Sequence, residues 1–340
     1  MRLGSSAPMP GHVVVTGATG FIGSHLSARL LGEGCRLSIV TRRPDAPGAR
    51  WLAARGARVV AADLTDAATL LRVVDGEPCE AVVHLGANVN LAGDDMRATN
   101  VAGTANVLRL AEASRAGHLV FASSIEAQGL ARAAELPLDE TRPCRPPTPY
   151  GESKCDGEAQ VAAFAERTGV PALVARIGNT YGPGSLGFVH FFLRTLLSDD
   201  AAAPALPLLG ARLLQPIYVV DLVEALVRAL RVRLAGVYNF TGDAATSIGD
   251  WVLALAELLG VEELARARLA SREDPPPAGA AAVPEVVYFL LADGDRIHRA
   301  YSDAKLRAAI GDYQRHTLQR GLAATLAWYA QAGALQPVLQ

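Results

Sequence analysis

From residue 12 onward the chain alternates short β-branched runs with helix-forming segments, and this rhythm restricts its fold more than any other feature. "HVVVTG" (12–17), "RLSIVTR" (36–42), "RVVAADL" (58–64), "AVVHLGA" (81–87), "HLVFASS" (118–124) and "PALVARI" (171–177) read as buried strands. Helices are expected between several of them, over 21–32, 100–116 and 149–168. Strands near-continuously apolar and separated by helices imply βαβ units: an α/β fold with a doubly wound parallel sheet covered on both faces. Right-handed crossovers then bring ligands to the carboxyl ends of the strands.

After residue 180 the rhythm breaks into a "YGPGS" turn, a helix near 188–198 and the irregular "DDAAAPALPLLGARLLQ". A strand and helix return in "PIYVVDLVEALVRAL", followed by strand "GVYNFTG", helix 247–259, a Pro- and Ala-rich loop or flap at 271–285, and helices 303–310 and 316–331. The expected organisation is a Rossmann-type domain over 1–180 to which 215–245 returns. Segments 181–214 and 246–335 then form a smaller C-terminal substrate-binding lobe.

The first strand runs into "TGATGFIG", which sets Gly17, Gly20 and Gly23 at a strand–turn–helix junction with Phe21 and Ile22 between them. Glycines there permit the tight turn, the approach of backbone to a pyrophosphate and the packing of helix on strand, while the helix N-terminus offers unpaired N–H groups to the anion. Asp63 and Leu64, Leu85 and Ala87, and Ile177 fall at the ends of strands three, four and six, where the remainder of a dinucleotide would lie. Asp63 is a candidate acceptor for the adenine amino group. Strand two ends in Thr41, Arg42 and Arg43 rather than in a carboxylate. Without that negative charge, and with two guanidinium groups to pair with a 2′-phosphate, NADP is the expected preference and NAD a possible cofactor.

"PPTPYGESK" (146–154) places Tyr150 and Lys154 four residues apart. Thr148 suits an N-cap, Pro149 suits the first helical position and Gly169 suits the far end, so both side chains share one helical face. A helix dipole and an ammonium both favour a phenolate, but moving a tyrosine from a pKa of about 10 to near 7 requires about 4 kcal/mol. The alternative is an amphipathic pair on a solvated face.

With these blocks, and with "ADLTD", "HLGA", "NVAGTANVLRLAEA", "RIGNTYGPGS", "PIYVVDLVEAL", "YNFTG" and "LQRGLAATLAWYAQ" in order, the chain resembles the extended short-chain dehydrogenases, specifically the NAD-dependent epimerase/dehydratase family. The resemblance runs nearly end to end. It implies that Tyr150 is the general acid/base, that Lys154 holds the nicotinamide ribose and depresses the tyrosine pKa, and that Ser124 hydrogen-bonds the reacting oxygen. It also implies that Asn179 contacts a substrate diphosphate and that helices 100–116 and 149–168 form a homodimer. Two departures stand out. In "SSIEAQG", Glu126 matches a glutamate of the family's dehydratases and decarboxylases, but Ile125 replaces the aspartate that precedes it in dehydratases. This argues against a 4,6-dehydratase and leaves Glu126 as either a proton-transfer group or a polar lining residue. The arginine expected before "PIYVVD" falls on Leu214, and a second expected in "FLLADG" is missing, which leaves Arg212, Arg296 and Arg299 to replace them. Leu214 is therefore expected to line an apolar substrate wall.

The expected function is hydride transfer at a secondary alcohol or ketone of a sugar or sugar-nucleotide-like substrate. Alternatives are a ketoreductase for a polyketide or aromatic intermediate and a catalytically silent NADP-binding regulator. A formal net charge of −2 argues against nucleic acid or an anionic membrane as partner. Cys35, Cys79, Cys144 and Cys155 show no metal-ligand spacing, and no metal is expected. No run reaches the roughly 18 apolar residues of a membrane helix, and "MRLGSSAPMPGH" lacks an apolar signal core, so a soluble, cytoplasmic protein is expected.

Overall fold

The computed structural model describes residues 8–74, 78–89, 95–185, 187–197, 212–270 and 298–332. The flap at 271–285, the "FLLADG" segment and Arg296 lie outside the described residues.

The β-branched runs assemble into one parallel sheet of seven strands. These are β1 (His12–Thr16), β2 (Arg36–Thr41), β3 (Arg58–Ala61), β4 (Ala81–His84), β5 (Leu119–Ser124), β6 (Ala172–Ile177) and, after a long excursion, β10 (Gly236–Phe240). Their spatial order is β10-β6-β5-β4-β1-β2-β3. The winding therefore reverses at β1, which pairs in parallel with β2 on one side and β4 on the other. A crevice opens at such a reversal, outside the carboxyl ends of the two strands.

Side chains alternate between the faces of a strand, and both faces are covered. Val13 and Val15 of β1 enter a core with Leu26 and Leu30 of α1 (Phe21–Gly32) and Leu222 and Leu226 of a later helix (Val219–Arg231). Val14 points the other way, into a core with Val107 of α5 (Gly103–Ala113) and Val161 and Phe164 of α6 (Pro149–Thr168). A buried Val, Leu or Phe side chain contributes about 1.5–3 kcal/mol, so the two layers hold the strand ends in fixed register. α5 is preceded by a π-helical turn, Ala98–Ala102.

Outside the sheet a third apolar core gathers Tyr181, Phe192, Leu193, Trp251, Leu255, Leu322 and Tyr329. These come from α7 (Phe188–Leu197), helix Ile248–Leu259, helix Leu318–Gln331 and the short strand β7 (Thr180–Tyr181). Strand β8 (Leu213–Leu214) sets Leu214 in the same core, 1% exposed. The expectation that Leu214 lines a substrate wall is therefore wrong. In a two-residue strand the faces alternate, and Leu214 takes the inward one, with no surface left for a ligand. Among the described residues no helix is long and apolar enough to cross a membrane.

Candidate active site

The glycine turn after β1 is built for close approach. Gly17 has φ +71, and a side chain there would lie 2.6 Å from the Gly86 backbone nitrogen. At Gly23 a Cβ would come within 2.0 Å of the Gly17 carbonyl oxygen, so the helix packs on the turn only without one. Gly20 caps α1 without a side-chain hydrogen bond, and the first turn holds no acidic residue. The N–H groups of Phe21, Ile22 and Gly23 therefore remain available to an anion. This cradle fits a dinucleotide pyrophosphate.

Around it, Leu64 packs against Gly86 and Gly103, where a Cβ would lie 2.8 Å from Leu64 Cδ1 and 3.0 Å from Leu64 Cβ respectively. Asn106 Nδ2 donates to the Leu64 carbonyl at 2.9 Å. Leu85 is packed at the edge of the first core, as Ala87 follows it in the same turn, and Ile177 ends β6 buried in that core. Asp63 turns its own loop, its Oδ1 accepting from the Thr65 amide at 2.9 Å and the Thr65 hydroxyl at 2.8 Å. These bonds, with the Arg42 charge nearby, hold its pKa below the usual carboxylate range. Arg42 and Arg43 are exposed, and the Arg43 amide donates to Thr41 Oγ1 at 3.1 Å.

Tyr150 and Lys154 lie where local chemistry puts them. Thr148 caps α6, its hydroxyl accepting from the Gly151 amide at 3.1 Å, and Pro149 follows at the helix start. Ser124 ends β5, and its Oγ accepts from the Glu126 amide at 3.2 Å as the chain enters a short 3₁₀ turn (Ile125–Ala127). The Ser124 side chain lies close enough to the Tyr150 hydroxyl to favour its ionised form. Lys154 is buried, with Nζ donating to the Ala122 carbonyl at 2.7 Å and standing 5.5 Å from the Tyr150 ring centroid.

The electrostatics differ from the expectation that Lys154 depresses the Tyr150 pKa. Burial pushes that pKa up, the Glu126 carboxylate pushes it further up, and only the Ser124 hydroxyl opposes them. The Lys154 ammonium faces the Ala122 carbonyl instead, and burial pushes its own pKa down to about 8, against the pull of Glu158. In this state Tyr150 is a protonated phenol, fit to donate.

Glu126 forms an ion pair with Arg299 in which both side chains are at least nine-tenths buried. The Arg299 amide donates to the Leu213 carbonyl at 2.9 Å, so the pair ties the β5–α6 connection to the lobe. Ile125 is buried in a small apolar cluster with Ala131, Leu138 and Tyr301. Arg212 is 8% exposed, and its Nε and Nη1 have no hydrogen-bond partner among the described residues. Asn179 likewise has a buried Oδ1 without a partner.

Two polar groups escaped the sequence reading. Asn100, in the π turn, donates to Ser153 Oγ at 3.0 Å and to the Asn88 carbonyl at 2.9 Å, joining α6 to the chain after β4. His84 bridges Thr16 at 2.7 Å and Thr104 at 3.1 Å, and burial with the nearby Lys154 charge pushes its pKa down to about 3. The signal for Asn100 was an asparagine at the head of the helix following strand four; a strand-end histidine carries none. A separate cavity of about 490 Å³, lined by Tyr181, Tyr218, Asp221, Gln314, His316 and Leu318 among others, includes neither Ser124, Tyr150 nor Lys154.

The family model for the NAD dependent epimerase/dehydratase family matches residues 13–240. A dTDP-glucose 4,6-dehydratase of Streptomyces griseus is 30% identical over 339 residues, covering 94% of each chain. A putative UDP-glucose 4-epimerase of Methanocaldococcus jannaschii is 26% identical over 329 residues, covering 93% of this chain and 97% of the relative. Among solved structures, UDP-glucose 4-epimerase of Thermus thermophilus in complex with NAD is 25% identical with a TM-score of 0.73, covering 94% of this chain and 99% of that one. With the glycine cradle at the β1/β4 reversal and a match spanning the sheet from β1 to β10, this chain belongs to the NAD dependent epimerase/dehydratase family, a family of enzymes that use a nicotinamide cofactor.

Proposed function

We propose that the protein catalyses hydride transfer at a secondary alcohol or ketone of a nucleotide-linked sugar, with epimerisation or net reduction as the outcome. The observation that carries this reading is the convergence of Ser124, at the end of β5, with Tyr150 and Lys154, one helical turn apart at the start of α6. Ser124 holds the reacting oxygen, and the protonated Tyr150 delivers its proton to that oxygen as a carbonyl is reduced. In the reverse direction the same phenol must receive the proton. The residues of the glycine cradle, with Leu64, Leu85, Ala87 and Ile177, would hold the dinucleotide, and Lys154 its nicotinamide ribose; when bound, the nicotinamide gives or takes the hydride.

Against 4,6-dehydration stands the second acid's absence: Ile125 is buried among apolar side chains and Glu126 is committed to Arg299. For the nucleotide diphosphate, Arg212 and Asn179 carry support, since Arg212 Nε and Nη1 and Asn179 Oδ1 are buried without partners among the described residues. The alternative of an uncharged ketone drew on Leu214, which lies in the core. An intact Tyr150–Lys154 pair speaks against a silent regulator.

For the cofactor two features pull apart. The solved relative from Thermus thermophilus holds NAD, which favours NAD, whereas Thr41, Arg42 and Arg43 place no carboxylate against a 2′-phosphate. We assign a site that takes NAD and also admits NADP through Arg42. Homodimerisation would use α5 and α6, where Ala159, Ala162 and Ala163 are exposed on a face small enough for close helix packing. The functional experiment is turnover of a panel of UDP- and dTDP-sugars with each cofactor. Epimerised or reduced product supports the reading, and a 4-keto-6-deoxy product overturns it.

A further inference from the structure

Cys144 and Cys155 lie eleven residues apart in the sequence, and the fold brings the segments that carry them together. Cys155 lies on α6 immediately after Lys154, and its Sγ donates to the Ala127 carbonyl at 3.7 Å. The Arg145 amide donates to the same oxygen at 2.8 Å, which brings the neighbouring Cys144 against Cys155. The segment holding Cys144 is pinned on both sides: Arg142 Nε donates to the Gln128 carbonyl at 3.1 Å, and a Cβ on Gly151 would lie 2.7 Å from Pro146 Cβ. The Cys144 sulfur lies close enough to Cys155 to raise the Cys155 pKa.

The two thiols differ in exposure. Cys144 is exposed, Cys155 is half-buried, and both are unpaired. Burial pushes the Cys155 pKa up, the Cys144 sulfur and Glu158 push it further up, and the Arg176 guanidinium, held by Glu158 at 2.8 Å, opposes them. An accessible thiol with a second thiol close by on a pinned segment is an arrangement that thiol–disulfide exchange can close. Cys35 and Cys79 are 5% and 2% exposed.

We propose that Cys144 and Cys155 are a dithiol that small-molecule disulfides convert to an intramolecular disulfide, a staple whose covalent ring contains Thr148, Tyr150 and Lys154. The Cys144 thiolate attacks one sulfur of the disulfide, forming a mixed disulfide and releasing one thiolate of the reagent. The Cys155 thiolate then attacks the Cys144 sulfur and expels the second. Two protein thiols lose two protons and two electrons, and the reagent is reduced to two thiols.

The test is incubation of the folded protein with oxidised glutathione, followed by thiol alkylation and peptide mapping. A Cys144–Cys155 disulfide is expected, with Cys35 and Cys79 alkylated only after unfolding. Pre-positioned thiols should close at least about tenfold faster in native than in urea-unfolded protein. In Cys155→Ser the reaction should stop at a stable glutathionyl adduct on Cys144, and in Cys144→Ser no adduct should form. Oxidation should raise the unfolding temperature of the wild type and of neither variant. A glutathionyl adduct persisting on Cys144 in the wild type, a disulfide-linked dimer through Cys144, or closure only in urea would each overturn the proposal. Should Cys155→Ser fail to fold, Cys155→Ala and the native-versus-urea rates decide the same question.

Discussion

Glu126 and Arg299 form a buried ion pair beside the Ser124–Tyr150 hydroxyls, joining the end of β5 to the segment that leads into the final helices. The pair does two things at once. It braces the lobe against the sheet, and it places a carboxylate where it holds Tyr150 protonated. A buried pair is costly to break because the surviving charge has no solvent. Arg299→Met should lower stability by about 3–5 kcal/mol, while Arg299→Met combined with Glu126→Leu should regain most of that loss. Urea denaturation measures both, and a single-variant loss under about 1 kcal/mol would show that the ion is hydrated after all.

Replacing Tyr150 with Phe keeps the ring and removes the proton. Turnover should fall by about 10²–10⁴ with cofactor affinity within about threefold. Steady-state rates and cofactor titration on the same preparation separate the two effects; a variant retaining more than about a hundredth of the wild-type rate would remove Tyr150 from the proposed role.

For Lys154 the pH dependence has a definite sign. Its folded pKa of about 8 lies below the 10.5 of the free side chain. Between those values the unfolded chain binds more protons than the folded one, so stability rises with pH across that window. Catalysis should respond oppositely: kcat/KM should decline above pH ~8 as the ammonium is lost. A pH profile paired with denaturation at each pH checks both, and a flat kcat/KM from pH 7 to 10 would contradict the assigned contact with the cofactor.

Arg42→Ala should weaken NADP(H) binding about tenfold, or about 1.4 kcal/mol, and leave NAD(H) within about twofold. The exposed guanidinium would lose its pairing with a 2′-phosphate, a group that NAD(H) lacks. Calorimetry with the two cofactors gives the comparison directly; equal effects on both would refute a role in discrimination.

Arg212 and Leu214 predict contrasting outcomes two residues apart. Arg212→Met should weaken nucleotide-sugar binding at least about tenfold while leaving stability unchanged or raised, because it removes a buried cation that lacks partners. Leu214→Arg should not tighten binding and should cost several kcal/mol, since it sets a charge in an apolar core. Unfolding curves and ligand titrations on both variants are the measurements; tighter binding by a stable Leu214→Arg protein would restore the apolar-wall expectation.

The doubly wound sheet was legible because its signals are local: buried strands demand β-branched runs, and helices between them demand crossovers. The glycine turn was equally plain, since a Cβ at Gly17 or Gly23 meets backbone. So was the α6 start, where Thr148 and Pro149 dictate that Tyr150 and Lys154 share a face. What the side chains do there was not legible. The tyrosine's pKa depends on Glu126, and the charge of Glu126 is answered by Arg299 from the far end of the chain. Leu214 was misjudged for the same reason, as the face a two-residue strand turns inward is decided by the helices packed on it. The contact of Cys144 with Cys155 arises only because the β5–α6 connection folds back onto the Ala127 carbonyl. Backbone geometry follows from neighbouring residues, so the sequence alone determined the sheet, the cradle and the helix bearing Tyr150. Desolvation and charge pairing depend on which distant groups exclude water from one another, and that was decided only when the tertiary structure closed.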